Sequence, residues 1–191
     1  DKIILYQIMQ KYIDDKELLL FTRTIIFDTN EIVGIPIGNY TSQYFANIYL
    51  NELDQYVKRV LRIKHYVRYM DDFVLLLPTK NDCVLVKEKL KIFLRDNLHL
   101  ELNEKTRYYP DKMGVNFCGY RIFPTHMLLR NSSKTKMKNH IRTWNKLYAK
   151  KKLNFEKMSR QLNSWLGHAK HCNSYNLVQY ILHKGKFFYL E

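Results

Sequence analysis

Two short apolar and aromatic runs, residues 65–69 and 73–77, lie so close together that only Met70, Asp71 and Asp72 separate them. In the first run Tyr66, Arg68 and Met70 fall on one face and Val67 and Tyr69 on the other, the period of two of a β-strand. The second is a continuous apolar run of the length of a buried strand. Strands joined by so short a connection can pair only antiparallel, so the stretch predicts a hairpin with adjacent carboxylates at its tip. Aspartate tolerates turn conformations and bonds its own backbone, so the pair alone is compatible with a plain turn. Against that, Tyr69 and Met70 are poor turn formers, and neighbouring carboxylates repel unless a cation or solvent relieves them. Hard oxygen ligands of this kind suit Mg²⁺, which commonly binds through one or two carboxylates plus substrate phosphates. The pair points to a metal and not yet to a reaction.

The rest of the chain surrounds this hairpin with helices. Apolar positions predict helical segments at residues 3–8 and 18–26, broken at Asp14-Asp15, where an acidic N-cap is favourable. Residues 28–41 contain Gly34, Pro36 and Gly38 and read as a loop. From Ser42, Phe45, Tyr49, Leu53, Tyr56 and Val60 recur at spacings of three and four, which makes one long amphipathic helix up to the hairpin. A helix over 82–96 follows, then short strands at 98–102, 115–123 and 127–129, then helices at 134–151, 155–169 and 174–183. The expected class is α+β, antiparallel strands packed with helices and then an α-helical bundle. The division is expected near Asn131-Ser132-Ser133, giving parts 1–130 and 131–191.

Charge separates the same two parts. The 191 residues carry 32 Lys and Arg against 18 Asp and Glu, a net +14. From His126 onward there are 14 basic and 2 acidic residues, so this last third holds +12 of the excess. Its cations interleave with Trp144, Tyr148, Phe155, Trp165 and Tyr175, the mixture found where a phosphate backbone is tracked, although a solvated helical surface has the same look. Cys83, Cys118 and Cys172 are odd in number and far apart, which supports neither a disulfide framework nor a zinc site and fits a reducing, cytoplasmic setting. His168, His171 and Cys172 cluster, but inside a basic helix they read as surface and packing residues. No stretch approaches the ~20 apolar residues that span a bilayer, so no membrane partner is expected.

A second constellation precedes the long helix. Gly34-Ile35-Pro36-Ile37-Gly38-Asn39-Tyr40-Thr41-Ser42-Gln43 puts glycines, which permit close backbone approach, ahead of hydroxyl and amide side chains at a helix start. A helix N-terminus offers free N–H groups and partial positive charge to an anion or a base edge. Taken singly, Thr41 or Ser42 could simply cap the helix.

Together these segments resemble the reverse transcriptases, and among them the enzymes of bacterial and phage diversity-generating retroelements. Tyr69-Met70-Asp71-Asp72 resembles the family's Tyr-x-Asp-Asp hairpin, and residues 35–47 resemble the loop and helix before it. Residues 100–106 are similar to the next motif, 117–126 to the primer-grip hairpin and 164–171 to a segment of the thumb. The motifs run in the family order and cover nearly the whole chain. Ile37 and Ser42-Gln43 stand where retron and group II intron enzymes have Gln and Ser-Pro, and this carries the likeness to the diversity-generating group.

The resemblance implies a partial polymerase palm, residues 1–130 with the end of the fingers, and a helical thumb, residues 131–191. It implies two-metal nucleotidyl transfer that copies an RNA template into cDNA, with Mg²⁺ ions ~3.5–4 Å apart. Asp71 would be a direct metal ligand, and Asp72 a second ligand or charge support. Lys105 would protonate or neutralise pyrophosphate, although a solvated lysine fits that position too. Pro36, Ile37, Gly38, Thr41, Ser42, Gln43, Tyr69 and Met70 would meet nucleotide and template, and Phe117, Cys118, Gly119 and Tyr120 the primer end. Implied partners are RNA template, DNA primer or cDNA, dNTPs and a basic accessory protein. The family's third carboxylate, on an earlier strand, has no counterpart here, and Asp1-Lys2-Ile3-Ile4-Leu5 matches the helix start after that strand. The chain is therefore expected to be a fragment that does not polymerise alone. Group II intron and retron enzymes, and a non-catalytic RNA-binding module of the same fold, are the alternatives.

Overall fold

The computed structural model describes residues 1–36 and 38–184. They form seven α-helices and two antiparallel sheets, an α+β architecture divided into two compact units, Asp1–Tyr108 and a second that begins at Tyr109.

In the first unit, α1 (Lys2–Gln10) and α2 (Lys16–Ile26) start where acidic side chains meet free N–H groups. Asp1 Oδ1 accepts from the Ile3 and Ile4 amides, and Asp15 Oδ1 from that of Leu18 at 2.8 Å. Helix α3 (Tyr40–Gln55) runs directly into a π-helical turn, Tyr56–Val60. Phe45, Tyr49, Leu53 and Val57 are buried at intervals of four, so one stripe of this helix forms the centre of the core. Tyr49 donates from its hydroxyl to the Leu98 carbonyl at 2.6 Å, and burial pushes its pKa up to about 12. Strands β1 (His65–Tyr69) and β2 (Asp72–Leu76) pair in register from His65 opposite Leu76 to Tyr69 opposite Asp72.

Helix α4 (Lys80–Leu98) opens with a capping box between Thr79 and Asp82. Its other end corrects the expected strand at 98–102. His99 takes the left-handed conformation, φ 47°, and the Leu100 amide returns to the Leu94 carbonyl at 3.0 Å. Leu100 and Leu102 still pack on the core, so their alternation reported burial correctly, but the segment pairs with no strand among the described residues.

In the second unit β3 (Val115–Phe117), β4 (Tyr120–Ile122) and β5 (Met127–Leu129) form a sheet in that order. The expected strand at 115–123 is thus a hairpin, because Cys118 and Gly119 both take positive φ, 48° and 86°. Helices α5 (Asn131–Ala149), α6 (Phe155–Ala169) and α7 (Tyr175–Lys184) follow. Leu129 is buried in one cluster with Met137, Ile141, Trp144 and Trp165, and Tyr120 packs against it. Asn173, just before α7, exchanges hydrogen bonds with the Met127 backbone. The sheet and helices therefore share a core within the second unit. No helix among the described residues is long and apolar enough to cross a membrane.

Candidate active site

The register of the first sheet leaves Met70 and Asp71 as a two-residue turn and makes Asp72 the first residue of β2. Asp72 lies directly opposite Tyr69 and shares its face of the pleat, whereas Asp71 projects from the turn. Both carboxylates are exposed, and neither has a hydrogen bond or ion pair among the described residues. Free, adjacent, hard oxygen donors of this kind fit Mg²⁺ held jointly with substrate phosphates and water, and do not make a closed protein cage. Among the described residues no group of three or more His, Cys, Asp or Glu comes together as a metal site.

The turn is strained and held. Met70 has φ 55°, a conformation that costs a residue with a side chain ~1–2 kcal/mol. Its carbonyl accepts from Arg68 Nη1 at 2.8 Å. The same guanidinium grips Asp54 of α3 with two bonds, Nε to Oδ1 at 2.8 Å and Nη2 to Oδ2 at 2.6 Å, and Nη1 reaches Asn47 Oδ1 at 3.2 Å. Tyr66 donates its hydroxyl to Asp54 Oδ1 at 2.6 Å. Burial by itself would raise the Asp54 pKa, but the bonds from Arg68 and Tyr66 and the guanidinium charge outweigh it, leaving the carboxyl below its ordinary range. Burial, together with the Asp54 hydrogen bond, pushes the Tyr66 hydroxyl well up. These residues border an open groove of about 440 Å³ beside Met70.

Neither Asp54 nor Asn47 stood out in the sequence as a functional position. The available signal was Arg68, a cation on the inward face of a strand between aromatic neighbours, which demands a buried anion. The network also ties the two recognised segments together, since Asn47 belongs to the helix that follows the glycine loop and Arg68 to the aspartate hairpin.

The loop itself is open. Gly38 takes φ 102°, and Asn39 occupies the N-cap of α3 without a side-chain capping bond. Thr41, Ser42 and Gln43 lie inside the first turn, so neither hydroxyl residue is the cap. Pro36 is half-buried, and Tyr40 and Tyr44 expose 85% and 70% of their surface. Ile37 lies outside the described residues. Lys105 sits in a turn where its amide donates to Asn103 Oδ1 at 2.9 Å and Thr106 accepts from Lys87. No hydrogen bond or ion pair joins Lys105 to Asp71 or Asp72.

In the second unit Phe117, Cys118, Gly119 and Tyr120 form the tip of the β3–β4 hairpin, Phe117 paired with Tyr120 across the turn. Tyr120 stacks on the His168 ring of α6 with centroids 4.4 Å apart. Burial raises the Tyr120 pKa, with the Cys172 and Cys118 thiols adding to the effect.

Parts of the chain are similar to known proteins. The group II intron-encoded protein LtrA of Lactococcus lactis subsp. cremoris is 40% identical over 63 residues, 32% of this chain and 10% of that protein. A putative COX1/OXI3 intron 2 protein of Saccharomyces cerevisiae is 22% identical over 149 residues, 49% of this chain and 17% of that protein. The chain is similar to intron-encoded proteins. The matches span only about a tenth to a sixth of the length of those relatives. No family model matches the chain.

Proposed function

We propose that this chain is the palm and thumb portion of a reverse transcriptase, an RNA-directed DNA polymerase, with residues 1–130 serving as palm and 131–191 as thumb. One observation carries the reading: two exposed, unpaired aspartates at the tip of a hairpin whose strained turn is braced from the helix behind it. The likeness to intron-encoded proteins supports the same reading. Asp71 and Asp72 would hold magnesium, which when bound supplies charge stabilisation for in-line nucleotidyl transfer. Tyr69, Met70 and the segment from Gly38 to Gln43 face the nascent base pair. The Cys118–Gly119 turn meets the primer end, Lys105 neutralises the departing pyrophosphate, and the basic helices track phosphates without reading sequence.

Primer extension on an RNA template tests this reading. Mg²⁺-dependent extension is expected from a protein in which residues 1–191 follow a strand bearing a third carboxylate, and none from residues 1–191 alone. Extension by the chain alone would refute the need for that strand. Hybrid binding without extension by the completed protein would favour a non-catalytic RNA-binding module. Binding of an RNA–DNA duplex is expected to weaken steeply with salt, each neutralised phosphate adding ~0.9 to the log–log slope. A salt-independent affinity would contradict phosphate tracking by the basic helices.

Two branches of this activity each have an observation in their favour. The matched relatives are intron-encoded, whereas Ile37, Ser42 and Gln43 favour the error-prone retroelement enzymes. Ile37 cannot donate the hydrogen bonds that glutamine could, so it would police the nascent pair less strictly. Ile37→Gln is expected to reduce misincorporation opposite template adenine, and an unchanged error spectrum would count against that branch.

A further inference from the structure

His168 belongs to the cluster that sequence alone assigned to packing, and its surroundings are specific. The Cys118–Gly119 turn needs left-handed φ at both positions, the geometry of a tight hairpin that favours Asn-Gly or Gly-Gly and is unfavourable for a cysteine. Something outside the turn must therefore hold it. The His168 ring lies against it so closely that a Cβ on Gly119 would stand 3.1 Å from both Cε1 and Nε2. At the other ring nitrogen, Tyr120 Oη is 2.9 Å from His168 Nδ1, and it is also 2.9 Å from the His168 carbonyl. A phenol has one proton. The carbonyl can only accept it, so the arrangement in which both contacts are hydrogen bonds has Nδ1 carrying a hydrogen and donating to Oη. This pair of bonds fixes the ring's orientation and turns Nε2 toward Gly119. The Gly119 carbonyl is in turn held by the Arg130 amide at 3.1 Å, at the start of α5.

We propose that His168 is a positioning residue that locks the Cys118–Gly119 turn in the conformation that engages the 3′ end of a primer, acting through its Nδ1–H bond to Tyr120. The inference rests on the polymerase reading of that turn. Asparagine can present an N–H where Nδ1 stands, glutamine places its amide nearer Nε2, and alanine presents neither, so the three substitutions separate the hydrogen bond from simple filling of space. Tyr120→Phe removes the acceptor while keeping the stacked ring.

The test measures binding of the 191-residue chain to an RNA–DNA primer–template with a recessed 3′ end and to a blunt duplex of equal length, alongside hydrogen exchange at the Arg130 amide. His168→Ala, His168→Gln and Tyr120→Phe are expected to lose preference for the recessed end about tenfold, the scale of one hydrogen bond. The two His168 variants should also expose the Arg130 amide to faster exchange while leaving blunt-duplex affinity unchanged. His168→Asn is expected to restore both. If the unsubstituted chain prefers the recessed end and the variants match it, or if His168→Asn and His168→Gln behave alike, the positioning role is overturned and the polymerase reading stands. If the unsubstituted chain shows no such preference, the primer assignment of the turn falls and the inference with it.

Discussion

Asp71→Asn is expected to lower Mg²⁺-dependent primer extension at least about a thousandfold in a protein that joins residues 1–191 to a strand carrying the third carboxylate. The substitution keeps shape and removes one charge from the hairpin tip. Lewis-acid stabilisation of a phosphoryl transfer is worth several kcal/mol, and each ~1.4 kcal/mol is a factor of ten in rate. Asp72→Asn should cost less if Asp72 supplies charge and not a direct ligand bond, so the ratio of the two rates assigns their roles. Folding should be nearly untouched, within ~0.5 kcal/mol, because neither carboxylate has a partner to lose and both are exposed. Single-turnover extension and urea unfolding together check this. Extension within tenfold of the unsubstituted protein would remove Asp71 from the metal site.

Asp54→Ala has the opposite profile, a loss of stability that precedes any loss of chemistry. It leaves the Arg68 guanidinium, 11% exposed, and the Tyr66 hydroxyl without their shared acceptor. Breaking a buried pair from one side costs roughly 3–5 kcal/mol, and the 24% of Asp54 that water still reaches brings the expected loss to about 2–3 kcal/mol. The linkage to pH follows from the sign of the shift. The folded carboxyl titrates below its unfolded value, so its contribution is complete at neutral pH and above the unfolded pKa. It is lost as pH falls from the ordinary carboxylate range through the lower folded pKa. Urea unfolding across that acid range should show a steeper loss for the unsubstituted chain than for Asp54→Ala. Parallel curves would mean that the pair contributes no pH-dependent stability.

The β1–β2 hairpin was legible because a strand alternates with a period of two and the connection is too short for any other pairing. Its two partners agree in register, and the aspartates fall at the tip as expected. Phe45, Tyr49 and Leu53 of the α3 stripe were equally plain, but Val57 continues it where Val60 was expected, and Val60 in the π-helical turn is 66% exposed. Leu98 to Leu102 misled because alternation reports burial on one side, and an extended tail on a core alternates just as a paired strand does. Charge is a property of the surface, and it gave no sign of the cluster that Leu129 and Trp165 form with Tyr120 packed against it.

Sequence by itself determined the local elements, the acidic tip, the basic last third and the family resemblance, because each is written in residues close together along the chain. Only the tertiary structure decided what holds the functional turns. Asp54 and Arg68 are 14 residues apart, and Tyr120 and His168 are 48 apart. No periodicity links such positions, and the strain at Met70 and Cys118 gives no sign of its remedy in the residue types alone. Those partners meet because the buried stripes of α3 and α6 bring their polar neighbours within hydrogen-bonding reach of turns that short-range preference would not select.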